Sequence, residues 1–231
     1  MHSGGLLPPN AGLHSRMDID PAALSQPDRY KLLIGGITPR PIALVSTLSP
    51  DGRPNLAPFS FFAGVGSDPL SLLFCPANDE HGNEKDTLRN CKPVSEGGTG
   101  EFVVSLASHA YIRQAVAASE SLPYGESEFS LAGLSPHPSR VVKPPRVSDT
   151  PVAYECRTLQ VVRTSAGKPN AGNIVIGEVV HVYVRGDAID SRYRLDPAVL
   201  DTVGRLGGME YCTTRQRFNL PRGAEALNAK T

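Results

Sequence analysis

The sequence predicts a mainly β fold with peripheral helices, arranged as a closed or nearly closed antiparallel barrel. Three observations carry that reading. Six or seven short runs rich in strand-forming residues are spread along the chain. The 22 glycines and 21 prolines exceed the usual share of about 12% and supply many turns. The regular strand–helix alternation of a parallel sheet is missing. Closing the sheet removes exposed edges.

Taken in order, residues 18–35 read as a lead-in with short helical turns, since Asp18-Ile19-Asp20-Pro21 resembles a helix start. Pro39 and Pro41 exclude a helix over 38–42. A hairpin follows: Ile42 to Leu48 is one strand, Ser49 to Pro54 is turn chemistry centred on Asp51-Gly52, and Asn55 to Ala63 returns with Phe59, Phe61 and Phe62. At least one of these phenylalanines is expected in the core. Leu70 to Cys75, continuously apolar, reads as a central strand. Glu84 to Asn90 is a short helix, residues 96–100 a loop, Phe102 to Leu106 a strand and 109–119 an Ala-rich helix. The Pro-, Ser- and Gly-rich stretch 121–150 reads as a long surface excursion with brief structure near Phe129 to Ala132. Val152 to Thr164 and Asn173 to Arg185 are paired long strands around a polar turn, the second bent at Gly177. Pro197 to Val203 is helical, Gly204 to Gly208 a turn and Met209 to Thr214 a last short strand. Glu178, within an apolar run, is either an edge residue or a buried acid at a dimer interface. Residues 1–17 and 223–231 are expected to be flexible, leaving one domain over 18–222.

Composition narrows the function. Lys plus Arg and Asp plus Glu are equal, at 23 each, which gives no electrostatic footprint for nucleic acid and no polybasic membrane anchor. No apolar run approaches the roughly 20 residues of a membrane span, and no secretory h-region is visible. Cys75, Cys91, Cys156 and Cys212 are far apart, without CxxC or zinc spacing, and read as small buried hydrophobes in a reducing cytoplasm. The six histidines are isolated. No dinucleotide, P-loop, nucleophile-elbow or HExxH string occurs, so no side chain is expected to be catalytic and no metal is expected. An enzyme of this kind takes its chemistry from a cofactor.

Three segments carry a resemblance: Thr38-Pro39-Arg40-Pro41-Ile42-Ala43-Leu44-Val45-Ser46-Thr47, then Asn55-Leu56-Ala57-Pro58-Phe59-Ser60-Phe61-Phe62, then Lys85-Asp86-Thr87-Leu88-Arg89-Asn90 with the strand from Thr99 to Val104. Residues 173–180 and 205–211 support it. In order and spacing they resemble the flavin reductase-like proteins of the FMN-binding split-barrel superfamily, from about Asp20 to Pro221. The resemblance implies an antiparallel, Greek-key-type split β-barrel, a homodimer and FMN near the subunit interface. FAD is the other flavin to consider.

The residue types suit that ligand. A phosphate of charge about −2 calls for several donors and a cation. Lys85 and Thr87 offer a cation and a hydroxyl, with Asp86 between them at a helix start whose free N–H groups add donors. Ser46, Thr47 and Ser60 offer hydroxyls, and Asn55 pairs with donors and acceptors alike. Ala57-Pro58 removes bulk and one N–H from the strand, with Phe61 close by. Arg40 is open to two roles, the reduced flavin or the phosphate. Tyr211 either faces the cofactor or packs.

Departures from the family pattern fall on its substrate side. Cys91 to Gly98 is longer than usual, Ser105 stands where relatives often carry Asn, and the chain after 119 matches poorly. The expected activity is electron transfer from NAD(P)H through flavin to free flavin, a partner oxygenase or another acceptor. The alternative is an FMN-binding electron carrier with no NAD(P)H site.

Overall fold

A computed structural model describes residues 17–229. The expected extension, 1–17, lies outside the described residues apart from Met17. The expected tail is described to residue 229 and carries 3-10 turns over Gly223–Asn228.

The lead-in holds more helix than its sequence suggests. After a 3-10 turn at Pro21–Ala23 comes α1, Gln26–Gly36, started by Ser25, whose hydroxyl accepts the Asp28 N–H. No α1 side chain is buried. The strands β1 (Arg40–Pro41), β2 (Ala43–Leu48), β3 (Pro54–Phe59), β4 (Phe62–Ser67) and β5 (Leu70–Phe74) follow, then α2 (Asp86–Cys91) and β6 (Glu101–Leu106). Next are α3 (Ile112–Ala117), α4 (Glu128–Ala132), and the short strands β7 (Pro136–His137) and β8 (Arg146–Val147). The long strands β9 (Val152–Arg163) and β10 (Asn173–Val184) lead to α5 (Pro197–Leu200), β11 (Val203–Arg205) and β12 (Tyr211–Thr213).

The main sheet has seven antiparallel strands in the order β3-β2-β6-β9-β10-β5-β4. Its two edges, β3 and β4, are consecutive in the chain and are joined by the corner Ser60-Phe61 without pairing to each other. The seam of the barrel therefore lies between them. The single strand expected over 55–63 is thus two strands, because the chain must turn this corner to pass from one edge to the other. β5 is paired on both sides, as its apolar run suggests. β10 is too, so Glu178 is half-buried on an interior strand and not on an edge. Val203, Gly204 and Arg205, expected in a helix and a turn, form β11 between β1 and β12 in a three-stranded second sheet.

The barrel interior is filled by Ala43, Val45, Leu72, Phe74, Phe102, Val104 and Val175, with Leu88 and Cys91 of α2 closing it and Phe59 and Phe62 packed alongside. Phe74 stacks between Phe59 and Phe102, at centroid distances of 5.1 and 5.2 Å. β10 shifts register at Gly177, where a Cβ would stand 2.4 Å from Phe102 Cζ; the glycine makes room for the ring. Of the four cysteines only Cys91 and Cys156 are buried; Cys75 and Cys212 are half-exposed, and all four are free.

The segment 121–150 is not a surface excursion throughout. Phe129, Ala132, Leu134 and Val147 pack with Leu44, Leu56 and Tyr111 into a second core on the barrel's outer face. Polar side chains fasten it there. Glu128 accepts the Leu56 N–H at 2.8 Å, Ser105 accepts the Val147 N–H at 3.1 Å, and Ser46 donates to the Pro145 carbonyl. Glu155, 2% exposed, accepts the N–H groups of Arg140, Val141 and Val142 at 2.8, 2.6 and 3.2 Å. A loop without secondary structure can be buried only if its backbone groups find such partners.

Candidate functional site

An open cleft of about 700 Å³ lies where β3, α2 and the segment after α3 meet. Asn55, Ala57, Pro58, Lys85, Asp86 and Thr87 line it. Its volume is within the range of small-molecule sites. As an edge strand, β3 tolerates Pro58, which has no N–H to give.

Period-two alternation decides which hydroxyls reach this side. Thr47 shares a face with Ala43 and Val45, and its Oγ1 accepts from Asn55 Nδ2 at 3.3 Å and Asn90 Nδ2 at 3.1 Å. Asn55 Nδ2 also donates to Thr87 Oγ1 at 3.0 Å. This buried network ties β2, β3 and α2 together. It engages both amide hydrogens of Asn55 and leaves the Thr87 hydroxyl proton without an acceptor among the described residues. Ser46 points the other way, with Leu44, toward Pro145. The expectation that Ser46 and Thr47 both face one ligand fails because neighbouring strand residues face opposite sides.

Arg40 is also removed from the cleft. It is 3% exposed, and its guanidinium donates to Ser60 Oγ (3.2 Å) and to the carbonyls of Ile34, Ile37 and Leu206 (2.6, 2.8 and 3.0 Å). It therefore clamps the end of α1 to the β1–β11 corner, and stands 5.7 Å over the half-buried Phe61 ring. Ser60 lines a smaller cavity of about 80 Å³ that shares Pro58 with the cleft. Tyr211 lines that cavity, and its hydroxyl accepts from Arg205 Nη1 at 2.7 Å.

Sequence reasoning missed several cleft residues. Glu84 is held by Lys92 Nζ (3.0 Å) and Arg163 Nε (2.7 Å). Burial pushes its carboxyl up, and the two cations outweigh that and hold it below the usual range. Arg89 pairs with Asp86 at 3.2 Å and lies 4.0 Å over the Tyr124 ring. Its position three residues after Asp86, on the same short helix, was the available signal. Glu128 had none, since it comes from the poorly matching segment. Burial raises both Glu128 and Asp86, and Asp86 raises Glu128 further.

Lys85 differs from Arg89 and Lys92. Among the described residues no carboxylate lies within 4 Å of its ammonium, and α2 begins beside it with no side-chain cap. An uncompensated cation, a free Thr87 hydroxyl and uncapped helix N–H groups make a donor set suited to an anion. The two nearby carboxyls are biased toward their neutral forms, which lowers their repulsion of an anion. The donor chemistry, the volume and the small side chains of β3 fit FMN.

Comparison with known proteins agrees. Residues 35–203 match the family described as "Flavin reductase like domain". An uncharacterized protein of Deinococcus radiodurans is 38% identical over 216 residues, covering 90% of each chain. The crystal structure of nitrilotriacetate monooxygenase component B from Bacillus cereus is similar with a TM-score of 0.82 and 30% identity, over 90% of this chain and 100% of that one. Pseudomonas fluorescens 2-nitrobenzoate 2-nitroreductase NbaA gives a TM-score of 0.78 and 31% identity, over 90% and 97% of the two chains.

Proposed function

The chain belongs to the flavin reductase-like family of flavin-related oxidoreductases, and we propose that it holds FMN in the cleft and passes electrons from NAD(P)H to free flavin or another acceptor. The observation that carries this is Lys85, a cation without a counter-ion, beside the free hydroxyl of Thr87 on a cleft of about 700 Å³. That the similar Bacillus cereus protein is titled a monooxygenase component supports an oxygenase as one acceptor.

The flavin supplies hydride acceptance and onward electron transfer when bound. The chain supplies position and charge. Lys85, Thr87 and the first N–H groups of α2 hold the phosphate. Asn55, its amide hydrogens engaged with Thr47 and Thr87, presents its carbonyl oxygen as an acceptor. Ala57 and Pro58 leave space for the ring system.

A homodimer is part of this reading. α1 exposes Tyr30, Leu32 and Leu33, and Ile37 follows, an apolar surface that a second copy would cover. Four free cysteines support a reducing, cytoplasmic location.

The test is optical. Purified protein given FMN and desalted should keep the visible flavin bands, and anaerobic NADH or NADPH, added separately, should bleach them. A protein that retains no flavin overturns the cofactor assignment; retained flavin that neither nucleotide bleaches overturns the donor and leaves a carrier. Light scattering should give twice the chain mass, and a monomer sinks the interface-bound cofactor.

A further inference from the structure

The smaller cavity is walled by Ile42, Ile112 and Val116 and carries three polar groups, Ser60, Tyr211 and Arg205. A guanidinium has five N–H groups. Arg205 engages Tyr211 Oη through Nη1 (2.7 Å) and the Gly208 carbonyl through Nη2 (3.0 Å), and its enclosed Nε has no acceptor. Among the described residues no carboxylate lies within 4 Å of it. Arg40, close enough for the two charges to repel, likewise has no acid partner. Ser60 stands between them: its Oγ accepts from Arg40 Nε at 3.2 Å, and its own proton has no acceptor among the described residues. Two guanidinium groups with no acid between them, next to an apolar cavity, are costly to bury unless an anion joins them.

We propose that this cavity is a binding subsite for a small planar carboxylate. A carboxylate offers two acceptor oxygens, which suits the Ser60 hydroxyl and a guanidinium N–H. The three aliphatic side chains suit the ring that bears it. The cavity, about 80 Å³, has room for about five waters, the space of one ring and not of a nucleotide. Pro58 and Ser119 line both cavities, so the ring of a bound acid lies against the wall of the cleft. Only this adjacency rests on the flavin reading; the binding of the acid does not.

Benzoate is the probe and benzamide its neutral counterpart, titrated by calorimetry and saturation-transfer NMR against the full chain with and without FMN. Benzoate is expected to bind, and benzamide to bind about tenfold or more weakly, the loss of one charge-assisted contact. Arg205→Met, which keeps bulk without charge, should erase that preference and leave FMN affinity unchanged. Val116→Phe, which fills the cavity and leaves both arginines in place, should abolish benzoate binding and guards against an Arg205 variant that fails to fold. Equal binding of benzoate and benzamide, no benzoate binding at millimolar concentration, or benzoate affinity unchanged in either folded variant overturns the proposal. A protein that selects benzoate but holds no flavin keeps this subsite and removes the cofactor reading; the reverse result separates them the other way.

Discussion

Replacing Lys85 by Met removes the one cleft cation that has no protein counter-ion, so its charge is the most available to a bound phosphate. A charge-assisted hydrogen bond contributes about 1.5–3 kcal/mol. Lys85 is exposed, and solvent screening places it at the lower end, so FMN should bind about tenfold more weakly. Thr87 is buried, and Thr87→Val deletes both the donor to the phosphate and the acceptor of Asn55 Nδ2. Its loss belongs at the upper end, about 100-fold, and Thr87→Ser should restore most of it. Lys92→Met is the control, because Lys92 is already held by Glu84 at 3.0 Å; its effect on FMN should stay within about twofold. Quenching of FMN fluorescence on titration with protein measures all four. Added salt should weaken the native protein more than Lys85→Met, since screening acts on the charge the variant lacks. Affinities of Lys85→Met and Thr87→Val equal to the native value, in folded protein, refute the phosphate assignment.

Arg40→Met should cost about 3 kcal/mol in urea unfolding, from carbonyls of α1 and Leu206 left without their donor, with FMN affinity unchanged in the folded fraction. Glu155→Ala should cost about 3–5 kcal/mol at pH 7, because three buried N–H groups lose their acceptor. Burial alone would raise the Glu155 carboxyl, but the three N–H groups and His181 hold it below its ordinary value. Its stabilisation is therefore present above about pH 4.3 and is lost as pH falls further, and the variant should lack that acid-dependent component in a pH series of melts. Gly177→Ala should lower thermal stability by about 1–3 kcal/mol, since its Cβ would meet Phe102 Cζ at 2.4 Å; an unchanged melting temperature removes the close approach as the reason for glycine.

The strands of the barrel were legible because each carries its own signal: β-branched runs, the Asp51-Gly52 turn and the polar loop before Asn173. What one strand does at its end was not. Nothing in Phe59-Ser60-Phe61-Phe62 marks the corner that makes two edges, since both halves are apolar and the break follows from how the sheet curls. α1 was underread because its sequence buries nothing, so the usual one-sided apolar pattern of a surface helix is weak. In the site, Asn55, Ala57, Pro58 and Lys85 to Thr87 were found by resemblance, and the structure brings them to one cleft. Arg40, Ser46 and Ser60 were grouped with them because residue type does not reveal what a donor already holds. Arg40 meets carbonyls far along the chain, and Ser46 meets Pro145, 99 residues away.

The two walls of the cleft have different origins in the chain, and that divides its tasks. One wall, from β3 and α2, is fixed by the Thr47–Asn55–Thr87–Asn90 network and backed by the barrel core through Leu88 and Cys91. Moving a donor there disturbs three elements at once. The other wall, residues 118–122 and Glu128, belongs to the segment that the serines and acids of the barrel hold from outside. Its own sequence can change as long as Leu56, Ser46, Ser105 and Glu155 still find backbone partners, because those contacts are to main-chain groups that every residue except proline presents in full. The segment can therefore vary in side chains without losing its seat, while the phosphate donors cannot. This is why the cofactor half of the cleft resembles a family and the facing half does not, and why the side that admits a second substrate is the side the sequence left unread.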